Sequence, residues 1–128
     1  MILAVDDETD LLTLLKDIFS VHPNFDSEVC ANSEDALAYC ALIKIDVLLM
    51  DFRLGKENGV ELVSKIRELP NQNKETPVIF YSAFVPEAHQ WASDFNLENC
   101  YFLEKPKKME DLFVKVKEVL ELRPGVSI

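Results

Sequence analysis

The chain is poor in glycine, with three in 128 residues. Its first apolar run ends in Asp6-Asp7 with no Gly- or Ser/Thr-rich loop, which speaks against a flavin or dinucleotide site built on backbone N–H groups. Cys30, Cys40 and Cys100 are odd in number and lack CxxC or metal-type spacing. They are expected to be reduced, mostly buried thiols of a cytoplasmic protein. The two histidines, His22 and His89, stand apart from any set of partner groups, which argues against a catalytic or metal role. No apolar run approaches the roughly 20 residues that a membrane span needs. The start MILAVDDE has neither the basic nor the long apolar region of a signal peptide. Positive charge is scarce: 13 Lys and Arg face 23 Asp and Glu, for a net charge of -10. That balance excludes nucleic-acid binding by this domain, because such affinity is mostly cationic.

What is present fits one globular domain. Hydrophobic residues make up 48% and charged residues 28%, enough for a single core and unlike a disordered chain. Strand-like runs alternate with helix-period segments. The runs are Met1–Val5, Ser27–Ala31, Ile45–Met50, Pro77–Tyr81 and Cys100–Leu103. Between and after them, apolar residues recur at helical spacing. Leu11 to Phe19 gives a first helix. A second opens at Asn32 or Ser33 as N-cap and runs to about Ile43. Val60 to Leu69 is a third, ended by Pro70. A fourth starts at Pro86 with Ala88, Trp91, Ala92 and Phe95 on one side, and a fifth is striped by Leu112, Phe113, Val116, Val119 and Leu120. Asn71–Thr76 reads as a loop. Five strand-then-helix units with nearly continuous apolar strands predict an α/β fold, a doubly wound five-stranded parallel sheet covered on both faces.

In such sheets the ligand site lies beyond the carboxyl ends of the strands. The residues there are Asp6 and Asp7, Asp51, Ser82-Ala83, and Lys105-Pro106. If the first and third strands are neighbours, three carboxylates converge. Mutual repulsion then raises at least one pKa unless a hard divalent cation neutralises them, and oxygen-only ligands suit Mg²⁺. Three acids, Mg²⁺, a lysine and a small hydroxyl residue suit phosphoryl transfer, in which cations neutralise the phosphoryl oxygens. Asp51 stands alone and is the best candidate for a carboxylate nucleophile. The tandem Asp6-Asp7 suits metal holding.

Asp6-Asp7, Asp51, Ser82-Ala83 and Lys105-Pro106, in this order and at these intervals, with Gly59 opening the third helix, resemble the receiver domain of two-component response regulators. The resemblance runs from Met1 to about Leu122 and leaves 123–128 as a tail or linker stub. It implies a (βα)5 flavodoxin-like fold of strand order 2-1-3-4-5. It further implies a phosphoryl group taken onto Asp51 from a histidine kinase or histidine phosphotransfer protein. Asp7 and Asp51 would bind Mg²⁺ directly, Asp6 through water, and the Arg53 carbonyl would complete the set. Lys105 would pair with the phosphoryl group, Ser82 would donate its hydroxyl, and the backbone N–H groups of Phe52 and Ala83 would assist. Ser82 and Phe102 would be the switch pair, and Lys105–Pro106 a cis bond. Output would pass to a downstream protein through the fourth helix, fifth strand and fifth helix, where Lys107, Lys108, Lys115 and Lys117 add positive charge.

The chain departs from the family's usual pattern in several places. Leu54-Gly55 stands where Met-Pro is usual, and Asn96–Asn99 replaces a Gly-Ala before the fifth strand, with Asn able to end the helix in a left-handed conformation. Lys107-Lys108 opens the last helix against its dipole. Arg53 and Phe84 flank the acceptor and are expected to restrict water and lengthen the acyl phosphate's life. Apart from slow self-dephosphorylation, no enzymatic activity is expected. Two alternatives stand beside this reading. The chain is the N-terminal receiver of a larger regulator with a DNA-binding or enzymatic output domain, or it is a flavodoxin-like carrier or aspartate-nucleophile phosphatase. Against the phosphatase, Arg53 occupies the place of its second acid.

Overall fold

The computed structural model describes residues 1–22, 25–70, 73–105 and 109–121. Strands β1 (Ile2–Val5) and β3 (Val47–Asp51) are buried along their whole length. Alternation along each strand sends side chains to two separate cores. Leu3, Val5, Leu48 and Met50 face one core, and Ile2, Ala4, Val47 and Leu49 the other. Helices α1 (Thr9–Ser20) and α5 (Met109–Glu121) cover the second face with Leu12, Leu15, Phe19, Leu112, Val116, Val119 and Leu120. Helices α2 (Ser33–Leu42), α3 (Gly59–Glu68) and α4 (Val85–Asp94) cover the first. With β2 (Ser27–Cys30), β6 (Val78–Ser82) and β7 (Cys100–Glu104), the sheet is five-stranded and parallel, in the order β2-β1-β3-β6-β7. This is the expected doubly wound arrangement, and β1 and β3 are neighbours.

Local chemistry explains the helix ends. Asn32 caps α2 by accepting the Asp35 N–H at 2.8 Å. Asn58 and Glu61 form a reciprocal capping box at the start of α3. α4 has no side-chain cap, and Pro86 is its second residue rather than its first. Its end is closed by a left-handed Asn96, with the Asn96 N–H bonding Ser93 O and the Leu97 N–H bonding Ala92 O, both at 3.0 Å. That is a Schellman closure with asparagine in glycine's usual place. Asn99 is also left-handed, so the asparagines do make the turn into β7.

One further expectation, the seating of Trp91 and Phe95 with the alanines of α4, needs correction, and two features go beyond the sequence pattern. The segment after β3 is a small antiparallel hairpin, β4 (Arg53–Leu54) with β5 (Glu57–Asn58), turning on Gly55 at φ 63°. Trp91 and Phe95 are 37% and 40% exposed, and their rings pack on each other at 5.7 Å. α4 instead lies close to the sheet through Ala88 and Ala92, whose small side chains leave no room beneath the helix for the rings. Asn73 and Thr76 lie in the expected loop and are almost completely buried. Leu122, the tail, Lys107, Lys108 and the Lys105–Pro106 bond lie outside the described residues.

Gly59 positions the site. A Cβ there would fall on the Asp51 carbonyl oxygen and 2.7 Å from Met50 Cγ. Its N–H bonds Phe52 O at 2.6 Å. Only a residue without a side chain lets α3 start this close to the end of β3.

Candidate functional site

The ends of β1, β3 and β7 deliver the parts of a single cluster. β1 runs into Asp6, fully buried, and Asp7, exposed; β3 ends in Asp51, 4% exposed. One carboxylate oxygen from each of the three lies within 4.8 Å of the others. Lys105 follows β7 and reaches in with its Nζ 3.4 Å from Asp51 Oδ2, 3.9 Å from Asp6 Oδ2 and 3.3 Å from Glu8 Oε1. Its own N–H bonds Ser82 O at 2.8 Å, tying the lysine's backbone to the end of β6.

Backbone donors orient the acids. The Glu8 N–H donates to Asp6 Oδ1 at 2.9 Å, and the Arg53 N–H to Asp51 Oδ1 at 3.3 Å. The Ser82 hydroxyl oxygen accepts the Phe84 N–H at 3.0 Å. Burial, and then the Asp6 charge, push the Asp51 carboxyl up to about 7, while Lys105 and the Arg53 N–H pull it back. Burial likewise raises Asp6, against the Glu8 N–H, Lys105 and Tyr81. For the Lys105 ammonium, burial acts downward, but Asp51, Asp6 and Glu8 outweigh it and hold the group above its ordinary value.

Of the residues singled out from the sequence, the structure brings Asp6, Asp7, Asp51 and Lys105 into one cluster, with the Arg53 N–H on Asp51 and the Ser82 carbonyl on the Lys105 N–H. Phe102 lies elsewhere. It pairs in register with Phe80 on the α4 side of the sheet, its ring 5.7 Å from Phe80 and 4.8 Å from the His89 ring. Phe80 and Ser82 share a sheet face by strand alternation, so Phe102 stands one register step below Ser82. Two residues were missed. Glu8 was hidden because it follows the acid pair inside a helix start. Tyr81 was counted as strand core, yet its hydroxyl donates to Asp6 Oδ2 at 3.0 Å.

The donor set is all oxygen and clusters around one point. That fits a hard divalent cation such as Mg²⁺ and does not fit zinc or a soft metal. Among the described residues this is the one group of three or more His, Cys, Asp or Glu side chains close enough to share an ion.

The sequence model of the response regulator receiver domain matches residues 2–117. The chain belongs to that family. Among curated relatives, it is 30% identical over 119 residues to the transcriptional regulatory protein CpxR of Klebsiella pneumoniae, covering 93% of this chain and 48% of CpxR. It is 27% identical over 123 residues to the cyclic di-GMP phosphodiesterase response regulator RpfG of Xanthomonas campestris, covering 95% of this chain and 32% of RpfG. The chain therefore spans less than half the length of either. Among solved structures, the chemotaxis response regulator CheY4 of Vibrio cholerae matches with a TM-score of 0.80 and 26% identity, over 93% of this chain and 97% of that one. A CheY-like receiver domain protein of Methanospirillum hungatei matches with a TM-score of 0.79 and 26% identity, over 94% and 92%. This receiver domain thus carries the family's acidic cluster on the family's fold. No helix among its described residues is long and apolar enough to cross a membrane.

Proposed function

We propose that this receiver domain takes a phosphoryl group onto Asp51 from a phosphohistidine of a histidine kinase or histidine phosphotransfer protein. The observation that carries the reading is the buried Asp51 carboxylate held between Lys105, at 3.4 Å, and the acids Asp6 and Asp7. One Asp51 oxygen attacks phosphorus, the P–N bond to the donor imidazole breaks, and its electron pair returns to the ring nitrogen. Asp7, Asp51 and the Arg53 carbonyl would hold Mg²⁺ directly and Asp6 through water, and the bound ion supplies positive charge against the phosphoryl oxygens. Lys105, 3.4 Å from Asp51 Oδ2, supplies a second positive charge. The N–H groups of Phe52 and Ala83 donate to the phosphoryl oxygens.

Ser82 Oγ, now accepting the Phe84 N–H, would turn its O–H to the phosphoryl group and draw in the β6–α4 segment. Phe102, next to Phe80 and under His89, would follow by packing alone, because phenylalanine has no hydroxyl to exchange. The changed surface is that of α4, β7 and α5, offered to a downstream protein in the cytoplasm. Moving a population from 1:99 to 99:1 takes about 5.5 kcal/mol of differential interaction, within reach of a few charge-assisted bonds.

Acetyl phosphate with Mg²⁺ tests this directly. Intact-mass analysis should show one phosphoryl group on the wild type and none on Asp51→Asn. Label retained by the variant would sink the assignment. In a second reading, the same domain is the receiver of a longer regulator with a DNA-binding or enzymatic output, a reading favoured by the share of CpxR and RpfG that it spans. The coding sequence beyond residue 128 separates the two. Steady turnover of a phosphate ester would instead point to a phosphatase.

A further inference from the structure

β6 and β1 are not neighbours, since β3 runs between them. Strands lie about 4.8 Å apart, so a β6 side chain that touches the end of β1 must reach roughly 9–10 Å. Tyr81 does so. It pairs in register with Asp51, and its fully buried ring passes beneath that residue to the far strand. There its hydroxyl donates to Asp6 Oδ2 at 3.0 Å and lies 3.4 Å from Val5 O. The same ring carries Lys105 Nζ 5.8 Å from its centroid. A leucine, valine or phenylalanine at this position would fill the core without delivering a donor to β1.

The consequence falls on Asp6. Its Oδ1 holds the Glu8 N–H and its Oδ2 holds the Tyr81 O–H, so both carboxylate oxygens are fixed by protein donors from two different strands' ends. Asp6 is fully buried, so bulk water does not substitute for a lost donor. A carboxylate has about four lone-pair positions, which leaves acceptors for the shell of a cation after two are used. We infer that Tyr81 is a positioning residue for the divalent-cation site, its phenol O–H locking the Asp6 carboxylate in the orientation that receives the ion's hydration shell. This rests on the reading of Asp6, Asp7 and Asp51 as a Mg²⁺ site and adds a part that the acid and lysine pattern does not contain. Hydrogen-bond partners of metal-holding carboxylates are worth about 10–100-fold in metal affinity.

Calorimetric titration of MgCl2 into the whole chain tests it, with wild type, Tyr81→Phe and Asp7→Asn in parallel and thermal unfolding of each recorded in EDTA. Tyr81→Phe keeps the ring and the packing and removes only the hydroxyl. The Mg²⁺ dissociation constant should rise about ten-fold in Tyr81→Phe, and the Mg²⁺ concentration for half-maximal labelling by acetyl phosphate should rise by the same factor. A purely structural tyrosine would lower the unfolding midpoint and leave the Mg²⁺ affinity of the folded protein where it was. Equal or tighter Mg²⁺ binding by Tyr81→Phe, with wild type binding and Asp7→Asn impaired, overturns the inference alone. Absence of Mg²⁺ binding by the wild type, or full binding by Asp7→Asn, overturns the underlying site reading and the inference with it.

Discussion

Lys105 Nζ stands 3.4 Å from Asp51 Oδ2, yet the Asp51 carboxyl keeps its proton up to about 7. The lysine is outweighed by burial and by the charge on Asp6, in that order. The site is therefore held in a state that costs stability when Asp51 is ionised and no cation is bound.

The sign of the pH dependence follows. An unfolded Asp51 ionises near 3.8 and the folded one near 7, so between those values folding takes up a proton. Stability of the metal-free domain should fall as pH rises from about 4 to 7 and level off above 7, a loss on the order of 4 kcal/mol. Asp6, raised in the same direction, adds to it. Asp51→Asn has no proton to lose and should show a flatter profile and a higher urea midpoint at pH 8. Mg²⁺ should stabilise the wild type at pH 8 by binding only the folded form. Urea titrations from pH 4 to 8 in EDTA check this; parallel profiles for the two proteins would refute it.

Asn73 predicts a second, unrelated cost. Its Nδ2 donates to Cys40 O at 2.7 Å and Ile43 O at 2.8 Å, and its Oδ1 accepts the Ile45 N–H at 2.8 Å and the Thr76 hydroxyl at 3.1 Å. One amide thus closes the end of α2 and starts the chain toward β3, the strand that carries Asp51. Asn73→Ala should cost about 2–4 kcal/mol, the range for leaving several buried groups unpaired. Asn73→Asp should cost more, because a carboxylate would face two carbonyl oxygens. Chemical denaturation of both variants measures it, and a loss under 1 kcal/mol for both would mean that water replaces the amide.

These two cases show what the sequence made legible. Period and strand-end chemistry gave the five βα units and the acidic cluster, because buried parallel strands leave long apolar runs and the acids interrupt them at their ends. Asn73 was invisible because a buried amide in a polar loop looks like any solvated asparagine. Tyr81 was invisible for the opposite reason: at the end of an apolar strand, a tyrosine reads as core until its hydroxyl has a partner two strands away. Trp91 and Phe95 followed the helical stripe of Ala88 and Ala92, but the stripe was too wide for the space beneath α4. The Leu54-Gly55 turn became intelligible only as a hairpin, since its partner residues, Glu57 and Asn58, have no strand-like pattern.

Arg53 and Phe84 carry the last prediction, the lifetime of the phosphorylated form. Arg53 Nη2 bonds Glu87 Oε2 at 2.7 Å, joining the segment after β3 to the first turn of α4. Those two elements follow Asp51 and Ser82 in the chain, and Phe84, the residue that precedes α4, is 58% exposed. If water reaches the acyl phosphate past this rim, removing Phe84 or Arg53 widens the approach. Phe84→Ala and Arg53→Ala should then each dephosphorylate faster than wild type. Glu87→Gln should release the guanidinium without removing it. An exposed ion pair is worth at most about 1 kcal/mol, so that variant should accelerate hydrolysis by no more than about five-fold. Decay of the acetyl-phosphate-labelled protein, followed by intact mass in EDTA, supplies the rates. Unchanged rates in Arg53→Ala and Phe84→Ala would show that water reaches Asp51 by another path.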